Sequence, residues 1–152
     1  MSSQYTFTGQ FTFSIDPKNR INIPAPLRKQ FSTNDKKTFV VTRGIDQCAW
    51  IYPISEWNFI QNELKQLSSL SKTNRIFLRN HLRHANILKF DSQGRFVLPQ
   101  SLIDYSAIKK DVTIIGVLNK IEIWNPNLLQ KLDQSDEIDD QSYEELSGRV
   151  NI

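Results

Sequence analysis

The sequence predicts an α+β fold dominated by β-strands, in which one unit occurs twice with pseudo-symmetric packing. Three observations predict it. The stretches "IDPKNRINIP" (Ile15–Pro24) and "FDSQGRFVLP" (Phe90–Pro99) both read apolar-Asp-x-x-x-Arg-apolar-x-apolar-Pro, and 75 residues separate them. Each copy is followed by a short helix candidate opened by proline and then by two strand candidates. Between the copies lies a stretch with helical periodicity.

The repeated pattern itself reads as a tight turn between two strands. In "DPKN", Asp16 stands where its carboxylate can accept backbone N–H groups, and Pro17 presets φ for the next position. Asn19 tolerates the left-handed geometry that Gly94 supplies in "DSQG". Asp16, Asn19, Asp91 and Gly94 are therefore the turn-stabilising residues. Beyond each turn, "PAPLRKQF" and "PQSLIDYSAI" open on prolines whose missing N–H costs a first helical turn nothing, and Leu27 and Leu102 hold matching places.

The strand candidates are "TFVVT" and "CAWIYP" in the first half, and "DVTIIGVL" and "KIEIW" in the second, with Gly44 and Gly116 expected at the turns between them. In the connector, Ser55 is expected as an N-cap, with Trp57, Ile60, Leu64 and Leu67 at helical spacing. A second helix, "TNRIFLRNHLRHA", carries Arg75, Arg79 and Arg83 as one basic stripe, and "NPNLLQKL" mirrors the first connector helix. The organisation expected is a first domain over 10–57, a helical connector over 58–85, a second domain over 86–129 and an acidic, disordered tail over 133–152. Each half has few apolar residues of its own, so the halves are expected to pack together, and across subunits as well.

Composition narrows the function classes. The 152 residues are 39% hydrophobic and 23% charged, a globular balance. No apolar run reaches the roughly 18 residues of a membrane span, and the N-terminus lacks a signal-peptide pattern. Cys48 is the only cysteine, which excludes an intrachain disulfide and suits an intracellular, cytoplasmic setting. From Asp133 onward seven acidic residues oppose only Arg149, a balance of −6; with the chain at +3, the body up to Leu132 carries +9. Such a body suits a polyanion, of which nucleic acid is the commonest, although a solvated basic surface would look the same.

Each turn delivers an arginine at a fixed place. Arg20 and Arg95 can bridge back to Asp16 and Asp91, but an exposed pair of that kind contributes only about 0–1 kcal/mol, too little to explain the repetition. The alternative is contact with phosphate or guanine, which a planar guanidinium fork matches. Enzyme readings find little support. His81 and His84 are the only histidines and leave a metal site short of ligands. The five glycines are scattered, with no phosphate-cradling loop, and no catalytic signature appears, so no enzyme, metal, cofactor or small-molecule substrate is expected. Trp50, Trp57 and Trp124 are expected to fill core or interface, and Arg43 to cap a neighbouring turn.

The doubled turn motif, together with "VVTRGIDQCAWIYPISEW" (Val40–Trp57) and "IGVLNKIEIW" (Ile115–Trp124), resembles the MraZ family, bacterial proteins built of two tandem SpoVT/AbrB-like, swapped-hairpin domains. The resemblance spans Phe7 to about Leu132. It implies β-barrel-type domains and a DNA-binding transcriptional regulator, a repressor associated with the nucleoid and with a division and cell-wall gene cluster. It also implies a ring-shaped homo-oligomer that meets direct promoter repeats in double-stranded DNA, with Arg20 and Arg95 at the DNA. Asn19 departs from the family's usual glycine, and the acidic tail lies outside the shared pattern.

By charge, the window from Asp16 to Lys29 has Lys18, Arg20, Arg28 and Lys29 against Asp16, whereas Asp91 to Asp104 has Arg95 against two acids. Phosphate neutralisation dominates non-specific affinity, so the first repeat is the stronger DNA-facing candidate, and Arg95 either joins it or ties the second repeat structurally. The DNA-binding candidates are thus Lys18, Arg20, Arg28, Lys29 and Arg95. A ring-forming interaction scaffold or antitoxin-like module with auxiliary DNA binding is the alternative, favoured by the acidic tail.

Overall fold

The computed structural model describes residues 3–135 and 139–150. The chain is α+β and β-dominated. Its elements run β1 (Phe7–Ser14), β2 (Arg20–Asn22), α1 (Ala25–Arg28), β3 (Thr38–Arg43), β4 (Ala49–Pro53), α2 (Ile54–Leu64) and α3 (Lys72–Leu82). The second half continues with β5 (Asn86–Lys89), β6 (Arg95–Val97), α4 (Gln100–Ser106), β7 (Asp111–Leu118), β8 (Lys120–Trp124), α5 (Pro126–Asp133) and α6 (Asp140–Ser147).

The two repeats interlock. A six-stranded antiparallel sheet has the order β1-β7-β8-β4-β3-β5, and β2 pairs with β6 in a separate ribbon. Exchanging each strand for its counterpart in the other repeat reverses that order without changing it, which is the signature of a pseudo-twofold. The opening strand of each repeat is lent to the other's hairpin: β1 runs beside β7 from Phe7↔Leu118 to Ser14↔Asp111, and β5 beside β3 from Thr38↔Lys89 to Val41↔Asn86. One core results, in which Ile21, Ile23 and Leu27 of the first repeat meet Phe96, Leu98 and Leu102 of the second, with Phe39, Ile51, Ile114 and Ile123. Burying each such side chain contributes on the order of 1.5–3 kcal/mol, which neither half could gather alone.

A smaller cluster holds the connector. Trp57 of α2 packs with Val40 and Tyr52, and Trp50, Ile54, Ile60 and Ala85 border them. His81 of α3 is buried between Trp50, Trp57 and Phe77. Burial and the nearby Lys120 ammonium hold its imidazole below the ordinary histidine range.

Several local expectations need correction. Ser55 does not cap α2, because the helix begins at Ile54 behind Pro53; the Ser55 N–H donates instead to Asp35 Oδ1 at 2.9 Å. Gly116 lies inside β7, opposite Gly9, and not at a turn. A Cβ there would stand 2.4 Å from the Thr8 nitrogen, so close approach of β1 and β7 explains that glycine. The β7–β8 turn is made by Leu118, with φ 61°. The acidic segment expected to be disordered carries α6, whose N-cap, the Asp139 side chain, accepts from the Ser142 N–H. Asp136 and Glu137 lie outside the described residues.

Candidate nucleic-acid interface

Both repeated motifs fold into the same turn. Asp16 Oδ1 accepts the backbone N–H groups of Lys18 and Arg20 at 2.9 and 2.8 Å, and Asp91 Oδ1 accepts those of Gln93 and Arg95 at 2.8 and 2.9 Å. The main chain closes each turn, with Asn19 donating to the Asp16 carbonyl and Gly94 to that of Asp91. Asn19 (φ 60°) and Gly94 (φ 77°) hold the left-handed position that the turn requires. The two turns are then tied to each other: the Ile23 N–H donates to the Gly94 carbonyl and the Leu98 N–H to the Asn19 carbonyl.

The β2–β6 ribbon decides which way the arginines face. Its register pairs Arg20 with Val97, Ile21 with Phe96 and Asn22 with Arg95. Ile21 and Phe96 are buried, so the alternation puts Arg20, Asn22, Arg95 and Val97 on the outer face, where Val97 is 54% exposed. Arg20 and Arg95 are diagonal neighbours on that face, a relationship that separates backbones by about 7–8 Å.

Each guanidinium is steadied by its own turn. Arg20 Nε donates to Asp16 Oδ2 at 2.5 Å, and Arg95 Nε to Asp91 Oδ2 at 3.0 Å. Among the described residues, neither arginine has a hydrogen bond through its terminal nitrogens. About a third of each side chain is exposed (32% and 30%). The carboxylates therefore orient the arginines while leaving the outer edge of the fork open. The Arg20 backbone N–H, above all, holds Asp16 below the ordinary carboxylate range, against a partial desolvation and with help from the Arg20 guanidinium. Asp91 is lowered in the same way, first by the Arg95 N–H. Both aspartates remain charged through the neutral range.

Charge is distributed differently in space than along the chain. Arg28 donates its Nε to the Ile23 carbonyl at 2.7 Å and lies over Gly94, the turn of the other repeat. A groove of about 420 Å³ beside that second turn is lined by Arg28, Lys29, Lys36 and Lys37, with Asp91 and Gly94. The count by sequence windows credited Arg28 and Lys29 to the first turn; packing moves them to the second. Lys36 and Lys37 were missed altogether. Their signal was weak: two adjacent lysines before a strand, both in the left-handed region at φ 49° and 62°. Lys18 and Lys29 are exposed, and Lys18 contributes its backbone N–H to the first turn.

Other candidates sort as structural. Trp50 and Trp124 donate their indole N–H groups to Glu122 at 2.9 and 3.0 Å, and Trp57 is buried. Arg43 stacks over the Tyr105 ring, 4.3 Å from its centroid, and its Nε is buried without a hydrogen-bond partner; it caps no turn. Arg75 reaches back to the Ser69 and Leu70 carbonyls. Among the described residues no group of three or more His, Cys, Asp or Glu side chains could hold a metal ion, and no helix is long and apolar enough to cross a membrane.

The family model described as "MraZ protein, putative antitoxin-like" matches residues 6–80 and 81–149. Proteins called transcriptional regulator MraZ are similar over 78% to 96% of the chain. That of Natranaerobius thermophilus is 38% identical over 144 residues, 95% of this chain and 96% of its own length. That of Clostridium beijerinckii is 38% identical over 146 residues, 96% of this chain and 99% of its own. That of Pediococcus pentosaceus is 42% identical over 119 residues, 78% and 80% of the two chains. The second family match runs to residue 149, so the acidic segment lies within the shared span, contrary to expectation.

Proposed function

The chain belongs to the MraZ family, and on that premise we propose that it is a transcriptional regulator that binds double-stranded DNA through its two Asp-x-x-x-Arg turns. One observation carries the reading: Arg20 and Arg95 share the outer face of the β2–β6 ribbon, each oriented by its own aspartate with the guanidinium edge open. A two-stranded ribbon is one of the two elements that the DNA major groove admits, and an arginine fork matches guanine or phosphate. Lys18, Lys29 and Arg28 supply further cations beside the turns, in keeping with phosphate contacts that position the ribbon.

The finer reading is a ring of copies that occupies direct promoter repeats of a division and cell-wall gene cluster and represses it by excluding the transcription machinery. Linked sites raise avidity by roughly 10²–10⁴ without new contacts, which compensates for the small area of a single ribbon. The protein works in the cytoplasm at the nucleoid, without a catalytic step or cofactor. Substituting Arg20→Ala should abolish specific binding in a gel-shift series while light scattering reports an unchanged oligomer. Unaltered affinity would remove Arg20 from the interface.

A second reading, a ring-forming scaffold or antitoxin-like module, is favoured by the exposed acidic helix α6. Removing 133–152 separates the two. Tighter DNA binding makes the segment an internal competitor, whereas loss of a co-purifying protein supports the scaffold.

A further inference from the structure

α6 and the α2–α3 pair are complementary in hydropathy and charge, yet each is left uncovered in the single chain. Between Leu64 and Phe90 there is no acidic residue, while Lys65, Lys72, Arg75, Arg79 and Arg83 are all cationic. An apolar groove of about 250 Å³ runs between α2 and α3, formed by Leu64, Leu78 and Leu82 with the Lys65 and Gln61 stems at its rim. Leu82 is 41% exposed there. At 100° per residue, Leu78 and Leu82 lie on one edge of α3, with Arg75 and Arg79 next to them.

α6 carries the counterpart. Tyr143 and Leu146, at i and i+3 on the helix, are 68% and 60% exposed, and Val150, three residues past its end, is 52% exposed. Asp140 and Glu144 flank that stripe, one helical turn apart. No residue of α6 is buried. Two apolar side chains in line on an acidic helix, with a third just past its end, gain nothing from solvent, and the two surfaces do not meet within the chain. Their union therefore belongs between copies.

We propose that α6 of one copy docks in the α2–α3 groove of a neighbouring copy, with Tyr143 and Leu146 in the groove and Asp140 and Glu144 against Arg75 and Arg79. The apolar contact supplies the affinity and the charges set the register and direction of the helix. The inference deepens the self-assembly part of the proposed function, resting on that part alone and not on the DNA contacts.

The test uses two full-length, differently tagged preparations, one carrying Leu146→Cys and the other Leu82→Cys. Cys48 is buried, with its thiol pushed well above the ordinary range by burial, and does not compete. Mild oxidation of the mixture should give a disulfide-linked product bearing both tags. Adding Arg79→Glu to the Leu82→Cys copy should abolish it, and adding Glu144→Arg to the Leu146→Cys copy should then restore it. The proposal is overturned if no mixed product forms, or if it forms regardless of the charge reversal. It is equally overturned if, in a third preparation carrying both cysteines in one chain, linkage forms only within that chain. The assay contains no DNA, so its failure leaves the assignment of the turns untouched, and loss of the Arg20 assignment leaves this result untouched.

Discussion

Gly94 lies directly beneath the guanidinium of Arg28, a residue of the other repeat. A Cβ at position 94 would stand 2.4 Å from Arg28 Cζ. The contact links the turn of the second motif to the first helix of the first, and the turn on the other side has no equivalent, because Ile103 holds the place of Arg28 there. This asymmetry explains why one turn carries glycine and the other tolerates Asn19, whose side-chain amide donates to Gln100 at 3.3 Å.

Gly94→Ala should accordingly cost about 1–2 kcal/mol for the left-handed backbone alone, with displacement of Arg28 added to it. Asn19→Gly should leave stability within about 1 kcal/mol of the parent, since it relaxes the same strain while freeing the unfolded chain. Urea midpoints of the two variants read the difference. A Gly94→Ala loss no greater than the roughly 1–2 kcal/mol of the backbone alone would mean that Arg28 exerts no constraint on the second turn.

Asp35 carries the acid sensitivity. Burial pushes its carboxyl up, but hydrogen bonds from Tyr5, Ser55 and Ser32 outweigh that and hold it below the ordinary range. A folded pKa below the unfolded one means that its stabilisation is complete above the unfolded value of about 3.9 and is lost as pH falls through the folded value. Asp35→Asn should lower stability at pH 7 by about 1–3 kcal/mol, because buried donors lose their acceptor, and should flatten the acid limb of the stability–pH curve. An unchanged acid limb would place the sensitivity elsewhere.

Much of this was legible in the sequence because it is local. The repeat, the turn chemistry of Asp16 and Asp91, the left-handed Asn19 and the proline-opened helices all depend on residues a few positions apart. What was not legible depends on pairing between the halves. Nothing near Gly116 says that β1 will lie against it, nothing near Asp35 announces Tyr5 and Ser55, and a charge count along the chain cannot know that Arg28 packs over the opposite turn. Lys36 and Lys37 were missed for the same reason, since the groove beside Asp91 exists only once the repeats interlock. α6 was missed because a polar, acidic composition reads as disorder when the cap at Asp139 is overlooked.

Lys36 and Lys37 should contribute to DNA affinity without reading sequence. Each phosphate contact removed flattens the slope of log affinity against log salt by about one unit. Lys36→Ala with Lys37→Ala should therefore weaken specific and random duplexes alike and lower the slope by about two units. Anisotropy titrations at several salt concentrations measure this. An unchanged slope would detach the groove from the DNA surface. Because both lysines have positive φ, the melting temperature of the pair should be compared first, and Lys→Asn or Lys→Gly used if alanine unfolds the loop.

Gly116→Ala tests the interlock itself. The added Cβ would meet Thr8 N at 2.4 Å and the Phe7 carbonyl carbon at 2.6 Å, both backbone atoms that cannot swing aside. β1 must move off β7, so the cost is an overpacking penalty of about 1–3 kcal/mol, concentrated on the strand that the first repeat lends to the second. Hydrogen exchange should show it as faster exchange of the β1 amides paired with β7, with the β3–β5 pairing on the far edge of the sheet unchanged. The mirrored arrangement provides the control: if β5 amides accelerate as much as those of β1, the two edges unfold as one cooperative unit and the swap at β1 has no independent stability.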